Sequence, residues 1–317
     1  MNRKNEKIAS MALACLTAVG LLAAPFSSVA KEKSEAESFS LSAEYDSYAY
    51  ERALARNYLS VLPVSDKRVG SYERISVSVG GVKLAVNGFR ANGVDYIHLK
   101  SAAEVIGASY TYNSSTGSAT VKAKGLTLVT TAGCYVSYAN ERCLFEISPT
   151  ALMSDGGLYM PASSFAKAIG MKTSSAQRSL SLVGSYSPIL SADRFYREDE
   201  VYWLSRIISA ESSGEPLLGQ IAVGNVVLNR RASAEYPNTI YGVIFDRKYG
   251  VQFSPILNGT IYNTPTYNSI LAAKICLEGY DISGGALFFL EPTLASSSWI
   301  PKNRPYIFSI GRHDFYK

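Results

Sequence analysis

The acidic side chain best placed for proton chemistry in this 317-residue chain is Glu211. It follows Leu204, Ile207 and Ile208 by seven, four and three residues, in a run from Asp199 to Ser213 that reads as one amphipathic helix. At about 100° per residue those three apolar side chains lie within about 60° of it, so its carboxyl is expected on the buried face. Gly214 and Pro216 stop the helix and leave Glu211 in its last turn, beside carbonyl oxygens that carry partial negative charge. Burial and an adverse helix end both disfavour the ionised form and push its pKa upward. A carboxyl that keeps its proton near neutral pH can protonate a leaving oxygen, the step with which glycosidic bonds are broken. Spacing alone equally fits a Glu paired with an arginine from another segment, or one reaching out to water. Arg206 projects elsewhere on the wheel and is no local partner.

Other chemistries are poorly provided for. His98 and His313 are the only histidines and lie far apart. A histidine-rich zinc site cannot be assembled from them, and a His-based nucleophilic triad would have to use one of the two. No glycine-rich phosphate loop follows a strand, so nucleotide chemistry has no support. Neither a metal nor another cofactor is expected. The formal charge is +5, falling to +3 if residues 1–30 are removed with three basic residues and one acidic. So small an excess, without a basic stripe, argues against nucleic acid and is compatible with an acidic polymer such as a cell wall.

Arg3, Lys4 and Lys7 precede an apolar run from Met11 to Ala24, broken by Pro25 and followed by the small residues Ser28-Val29-Ala30. This is the pattern of an export signal cleaved before Lys31, and no membrane-length segment follows it. A secreted protein of the wall or spore envelope is therefore expected. In that setting Cys134 and Cys143, flanking a turn-like Ala139-Asn140-Glu141, could staple the mouth of a β-hairpin. Cys276 lies on the apolar side of a helix expected over Tyr267 to Glu278 and reads as a buried, inert thiol.

Residues 31–74 are charged, polar and rich in Ser and Tyr, and read as a largely disordered linker. A repeat follows: Tyr96 to Gly107 aligns with Tyr159 to Gly170 at a spacing of 63 residues. Each copy is expected to hold a short helix ended by its glycine, with alternating strands before it (Ile75 to Val86; Leu126 to Ile147) and after it (Ser109 to Val121; Lys172 to Val183). Over 185–197, with Pro188 and small residues, the periodicity changes, which marks a boundary. Beyond it Leu217 to Ala232 is apolar nearly all round and reads as a central buried helix, with Ala222 and Gly224 permitting close neighbours. Thr239 to Phe245 reads as a short helix, and Ala286 to Leu290 and Ile307 to Tyr316 as strands.

Residues 75–184 resemble the α+β copper amine oxidase N-terminal-like repeats of exported bacterial proteins. The second copy keeps Pro161 of that family's V-P-L-R run, and His98 replaces it in the first. The resemblance implies attachment or presentation rather than copper chemistry, with His98 structural. Residues 199–317 resemble the SleB-type cell-wall hydrolases, the spore cortex-lytic enzyme family, through several ordered motifs. Ala210-Glu211 with Gly214-Glu215-Pro216 fits the A-E-x-x-G-E-P signature. Gly219 to Val223, Val226 to Arg230, Tyr236 to Ile240, Gln252-Phe253-Ser254-Pro255, Gly284 to Leu287, Trp299-Ile300, Arg304-Pro305 and Ile310-Gly311 with His313 follow in order.

That resemblance implies an α+β chain. Its catalytic domain would be mainly helical and lysozyme-like, with a small β-hairpin region. The implied activity is cleavage of peptidoglycan between N-acetylmuramic acid and N-acetylglucosamine, of muramidase or lytic transglycosylase type, in spore cortex lysis during germination. Glu211 takes the place of the acid that then acts as base. Gln252 and Ser254 are candidates to bind N-acetyl groups, with turn satisfaction as the alternative. Trp299 could stack on a sugar and Arg304 pair with a lactyl carboxylate, or Trp299 could pack on the hairpin. Phe289 stands where the family usually has Tyr, and Glu291 where an amide is commoner; Glu291 is either an electrostatic partner or a solvated loop-end carboxylate. Glu215 is expected to serve the turn, and Asn229 to brace a loop. Two other functions remain in view: an N-acetylmuramoyl-L-alanine amidase, and a non-catalytic wall-binding protein in which the repeats do the binding.

Overall fold

A computed structural model describes residues 71–317 apart from Ser154, Tyr249, Ser296 and Ser297. The expected export signal and residues 31–70 of the expected linker lie outside the described residues. The described chain forms two compact units, 71–197 and 198–317, and its class is α+β.

The first unit contains strands β1 (Tyr72–Val79), β2 (Val82–Lys83), β3 (Gly88–Ala91) and β4 (Val94–His98), helix α1 (Leu99–Val105), then β5 (Ser109–Asn113), β6 (Ser118–Ala123), β7 (Leu126–Thr131), β8 (Val136–Ala139) and β9 (Arg142–Phe145). It continues with β10 (Ala151–Leu152), β11 (Leu158–Pro161), helix α2 (Ala162–Ala168), β12 (Lys172–Ser175) and β13 (Ser179–Val183). One sheet runs β10-β11-β4-β3-β1-β13-β12 with β2 beside β1, and β5 to β9 form a second, in order. The first strand takes in Tyr72 to Arg74, which sequence alone assigns to the linker.

The repeat is visible as symmetry. Ile97 and Met160, equivalent at the spacing of 63, are direct partners in the antiparallel β4–β11 pair, which puts a local two-fold axis between the copies. Period-two burial of Ile75, Val77 and Val79 joins β1 to the core beneath both helices, with Leu99, Ala102, Phe165 and Ala166. The two helices are capped differently. His98 Nδ1 accepts from the Ser101 backbone N–H at 3.3 Å, whereas Pro161 has no capping side chain. At the start of α2, the hydroxyls of Ser163 and Ser164 donate to the Glu146 carboxylate instead.

The expected staple is not made. Asn140 and Glu141 both have positive φ, 48° and 66°, and form a two-residue turn. That turn fixes Ala139 opposite Arg142 and therefore Cys143 opposite Tyr138, four residues along the strand from Cys134. Pairing the thiols would require the turn to be centred between Tyr138 and Ala139.

The 185–197 segment is not a loose connector. Backbone N–H groups of Ser187 and Ile189 donate to Ile169 and Ala168 carbonyls, and Asn140 Nδ2 donates to the Ile189 carbonyl at 2.8 Å. A helical turn, α3 (Ala192–Phe195), follows, with the Arg142 guanidinium 3.3 Å from the centre of the Phe195 ring.

In the second unit α4 (Glu198–Ser212) packs against α5 (Leu217–Ala232) and α8 (Tyr267–Leu277). Between them lie α6 (Ile240–Ile244), α7 (Pro255–Asn258) and a 3₁₀ turn, Thr260–Tyr262. The chain ends with β14 (Phe288–Leu290), α9 (Trp299–Asn303), β15 (Tyr306–Ile310) and β16 (His313–Tyr316), in a sheet ordered β14-β16-β15. Leu218 to Val227 are buried without a break, as an all-round apolar helix requires. One face of α5 meets α4 and α8. The other presents Ala222, Val223 and Val226 to Ala286, Phe308 and Phe315 of the hairpin region. A Cβ on Gly224 would fall 2.8 Å from both Cys276 Sγ and Ile208 Cδ1, so the glycine sets the closeness of the three-helix contact. Cys276 is buried as expected, and its thiol donates to the Ile221 carbonyl.

The strand expected over Ile307 to Tyr316 is a hairpin. Gly311 turns it with φ 59°, and a Cβ there would lie 1.8 Å from Glu215 Oε2. Only glycine permits the turn to close on that carboxylate.

Candidate active site

Helix α4 carries the reactive carboxyl. Val201, Leu204, Ile207 and Ile208 are buried on its inner face, and Glu211 continues that stripe into the last turn. Ser212 bonds back to the Ile208 carbonyl at 2.7 Å, and the Glu215 backbone N–H bonds to the Ser212 carbonyl. The turn is thereby tied before Pro216 starts α5. Glu211 is partly buried, and burial lifts its pKa from 4.5 to about 7, against a smaller lowering by the Arg230 charge. Among the described residues no hydrogen bond and no other charged group contributes to this shift.

Arg230, in the last turn of α5, is the residue that sequence reasoning left without a role. It is only 5% exposed. Its Nε donates to the Leu287 carbonyl at 2.7 Å. Its guanidinium carbon sits 5.2 Å from the ring centres of Tyr236 and Phe253 and 5.4 Å from that of Phe288. Its NH1 is buried with no hydrogen-bond partner. Burial lowers the guanidinium's pKa, opposed by Tyr236, Asp246 and Glu211. A basic residue in a helix's last turn reads as dipole complement in a sequence. Its aromatic surround comes from three segments that only the fold assembles.

Glu215, four residues beyond Glu211, has quite different company. Its side chain is 2% exposed. Oε1 accepts from Arg312 Nε and Oε2 from the Arg312 backbone N–H, both at 3.0 Å. This clamp joins the α4–α5 turn to the β15–β16 turn. It gives physical content to the expectation that Glu215 serves the turn. Arg312 NH1 also lies 3.7 Å from Glu291 Oε1, which accepts from the Thr293 hydroxyl as well. Glu291 is thus held by Arg312, and neither it nor Glu215 is among the charges acting on Glu211.

The remaining candidates divide by location. Gln252 Nε2 donates to the Gly250 carbonyl at 3.0 Å, and Ser254 is exposed at the start of α7 without bonding its backbone. Between them Phe253 is 2% exposed. Phe289 stacks edge-on to His313 at 5.4 Å, and its centroid lies 6.0 Å from that of Phe315. His313 itself is 5% exposed with an unpartnered Nδ1, and burial lowers its pKa. Trp299 is 51% exposed rather than buried against the hairpin. Arg304 lies between Phe288 (4.5 Å) and Trp299 (5.4 Å). Asn229 Nδ2 reaches Ser283 Oγ and the Ala286 carbonyl, bracing the loop before β14. Among the described residues, no group of three or more His, Cys, Asp and Glu side chains is placed to hold a metal ion.

Known proteins resemble the chain in both units. Residues 214–316 match the family described as Cell Wall Hydrolase, and 78–182 the copper amine oxidase N-terminal domain. The first match begins three residues beyond Glu211. A spore cortex-lytic enzyme of Bacillus cereus is 40% identical over 122 residues, 38% of this chain and 46% of that protein. One from Halalkalibacterium halodurans is 38% identical over 120 residues, 38% of this chain and 35% of that protein. The chain therefore spans less than half the length of these curated relatives. The catalytic domain of the germination-specific lytic transglycosylase SleB from Bacillus anthracis is 40% identical, with 38% of this chain covering 97% of that one at a TM-score of 0.36. By these matches residues 214–316 form a cell wall hydrolase domain similar to part of the spore cortex-lytic enzymes, with a copper amine oxidase N-terminal-like domain ahead of it.

Proposed function

We propose that this is an exported enzyme that cuts peptidoglycan glycan strands between N-acetylmuramic acid and N-acetylglucosamine, and that its target is the spore cortex opened at germination. The single observation that carries the proposal is the Glu211 carboxyl, partly buried, without a hydrogen-bond partner among the described residues and lifted by burial to about 7. Such a group is substantially protonated at neutral pH, and its conjugate base is strong enough to take a proton back. The relatives described as spore cortex-lytic enzymes and the germination-specific lytic transglycosylase support the substrate class.

Glu211 gives its proton to the glycosidic oxygen, the bond from that oxygen to the muramic C1 breaks, and positive charge spreads over C1 and the ring oxygen. The ionised Glu211 then takes the proton of the same sugar's C6 hydroxyl, whose oxygen bonds to C1. The products are a 1,6-anhydro end and a Glu211 that has recovered its proton. Hydrolysis by a pair of carboxylates needs a second one about 5 Å away for retention, or further for inversion. Glu215 and Glu291 are both engaged by Arg312, which favours the intramolecular route. Trp299 and Arg304 supply an exposed stacking face and a cation for sugar and lactyl carboxylate. Gln252, Ser254, Phe289 and Glu291 complete the substrate contacts.

Digestion of purified cortex peptidoglycan, followed by mass spectrometry of the ends, tests this. Anhydro-muramic ends are expected, and Glu211→Gln should abolish them. Free alanine amino groups would instead identify an amidase. Binding without new ends would identify a wall-binding protein.

A further inference from the structure

Eight residues before Glu211 on α4, the Trp203 ring is the hub of an aromatic cluster that has no part in the site described above. Tyr241 and Phe245 reach it from within and just after α6, and Tyr262 from the 3₁₀ turn. Its centroid lies 5.1 Å from that of Phe245, 5.2 Å from Tyr241 and 6.4 Å from Tyr262, with the rings inclined at 87°, 65° and 75°. Tyr241 and Phe245 are themselves 4.5 Å apart. Edge-to-face packing of this kind holds each ring in one orientation and ties α6 and the turn to α4. That accounts for Phe245 and for the inner part of Trp203, but not for the two tyrosines. They are 53% and 62% exposed, and their hydroxyls hydrogen-bond no described residue. Large rings clustered in water are unfavourable unless something covers them.

The cluster is continuous with the candidate active site. Trp203 lies about 12 Å from Glu211 along the helix axis and about 80° round it. Arg206 and Ala210 fall within about 60° of Trp203 on the helix surface. Trp203, Arg206, Ala210 and Glu211 are all partly exposed, so this strip of α4 stays at the surface from the rings to the turn that carries the carboxyl. The Arg206 guanidinium sits 3.8 Å from the centre of the Tyr202 ring and pairs with no carboxylate among the described residues. A cation is thus left beside the rings.

We propose that Trp203, Tyr241 and Tyr262 form a distal subsite that holds sugar rings of the same glycan strand that is cut at Glu211. The inference rests on the glycan-cutting reading set out above. A pyranose ring presents C–H bonds on its faces and hydroxyls round its rim. The faces pack on aromatic rings, and the hydroxyls pair with groups such as the tyrosine O–H. An aliphatic patch would suit a protein partner equally well. Rigid rings with free hydroxyls at their outer ends suit an extended sugar polymer, and Arg206 suits the carboxylates that peptidoglycan strands carry. A strand that touches both places gains affinity from the second contact without any change at the reacting bond. The subsite therefore favours long strands over short ones and acts on binding rather than on rate.

The test uses the full chain, whose tryptophans are Trp203 and Trp299 alone. Soluble glycan strands are added to ¹⁵N-labelled Glu211→Gln, and the two indole N–H signals are followed, that of Trp203 being the one that survives in Trp299→Phe. The Trp203 signal should move with long strands, and far less with a disaccharide at equal sugar concentration. Tyr241→Ala/Tyr262→Ala, made at two surface positions, should weaken the binding of long strands about tenfold. In the cutting assay the same pair should raise the ratio of long-strand KM to tetrasaccharide KM about tenfold, with kcat falling less than about twofold. A Trp203 signal unmoved by saturating long strands would overturn the proposal, and it is read without altering the cluster. An unchanged KM ratio in the folded double variant would overturn it equally. So would a wild-type dimer that the double substitution dissociates with strand affinity intact, since a second copy would then be what covers the rings. The binding measurements need no turnover. A protein that shifts Trp203 with strands yet cuts none refutes the enzymatic reading and leaves the subsite standing.

Discussion

Replacing Glu211 with glutamine should abolish cutting and at the same time make the protein more stable, increasingly so as the pH rises. The folded-state pKa is about 7 against 4.5 for an unperturbed carboxyl, so the folded protein holds this proton more tightly than the unfolded chain does. Below about pH 4.5 both states are protonated and there is no penalty. Between about 4.5 and 7 the unfolded chain loses its proton first, and native stability falls. Above about 7 the loss is complete, at about 3 kcal/mol for a shift of this size. Glutamine cannot ionise, so this contribution vanishes in the variant. The difference in stability between Glu211→Gln and wild type should therefore be a constant offset below about pH 4 and grow by about 3 kcal/mol by pH 8. For a domain of this length that is on the order of 10 °C in the melting temperature of the C-terminal unit. Thermal or urea unfolding of both proteins across pH 4 to 8 measures it, and taking the difference cancels every other titrating group. A difference that stays flat, or shrinks as pH rises, would show that the carboxyl is not held protonated by the fold, and the argument for its chemistry would go with it.

Gly311→Ala should destabilise the domain by about 2–4 kcal/mol, because a Cβ 1.8 Å from Glu215 Oε2 at φ 59° must either break the clamp or move the turn. A chemical-denaturation midpoint equal to that of wild type would contradict this. Trp299→Ala, at a side chain 51% exposed, should change stability by less than about 1 kcal/mol. It should raise KM for soluble glycan strands several-fold with kcat little altered, and an unchanged KM would remove Trp299 from the substrate contacts.

The parts of this fold legible in the sequence are those governed by local periodicity. The stripe Leu204, Ile207, Ile208 locates the inner face of α4, and the unbroken apolar run of α5 announces a helix buried on all sides. The spacing of 63 residues gives the repeat, though not that Ile97 and Met160 would meet across a two-fold axis. The cysteines show where such reading stops. Composition identifies a hairpin, but its register depends on a turn that is two residues long, and a shift in the turn's centre separates Cys134 from Cys143. Segment 185–197 reads as a boundary from its small residues, yet its backbone is bonded to Ala168 and Ile169. Arg230 was hidden for a related reason: its neighbours Tyr236, Phe253 and Phe288 are dispersed along the chain and carry no spacing signal.

Glu211 and Glu215 are four residues apart, and the contrast between them explains why the reactive one can be reactive. A carboxyl held mostly out of water is costly to ionise, and the surrounding structure will relieve that cost if it can move, by admitting water or by turning the side chain outward. The last turn of α4 has little freedom to do so. Ser212 holds the Ile208 carbonyl, the Glu215 backbone N–H holds that of Ser212, and the Glu215 side chain fastens the turn to Arg312 at the hairpin. Gln220 adds a bond from Nε2 to the Glu215 carbonyl while its Oε1 accepts from Ser269 of α8. Ser212, Glu215 and Gln220 are thus each engaged with a neighbour. The pairing of Glu215 with Arg312 maintains the burial that keeps the proton on Glu211, so one carboxylate is consumed by structure and the other is left available for chemistry.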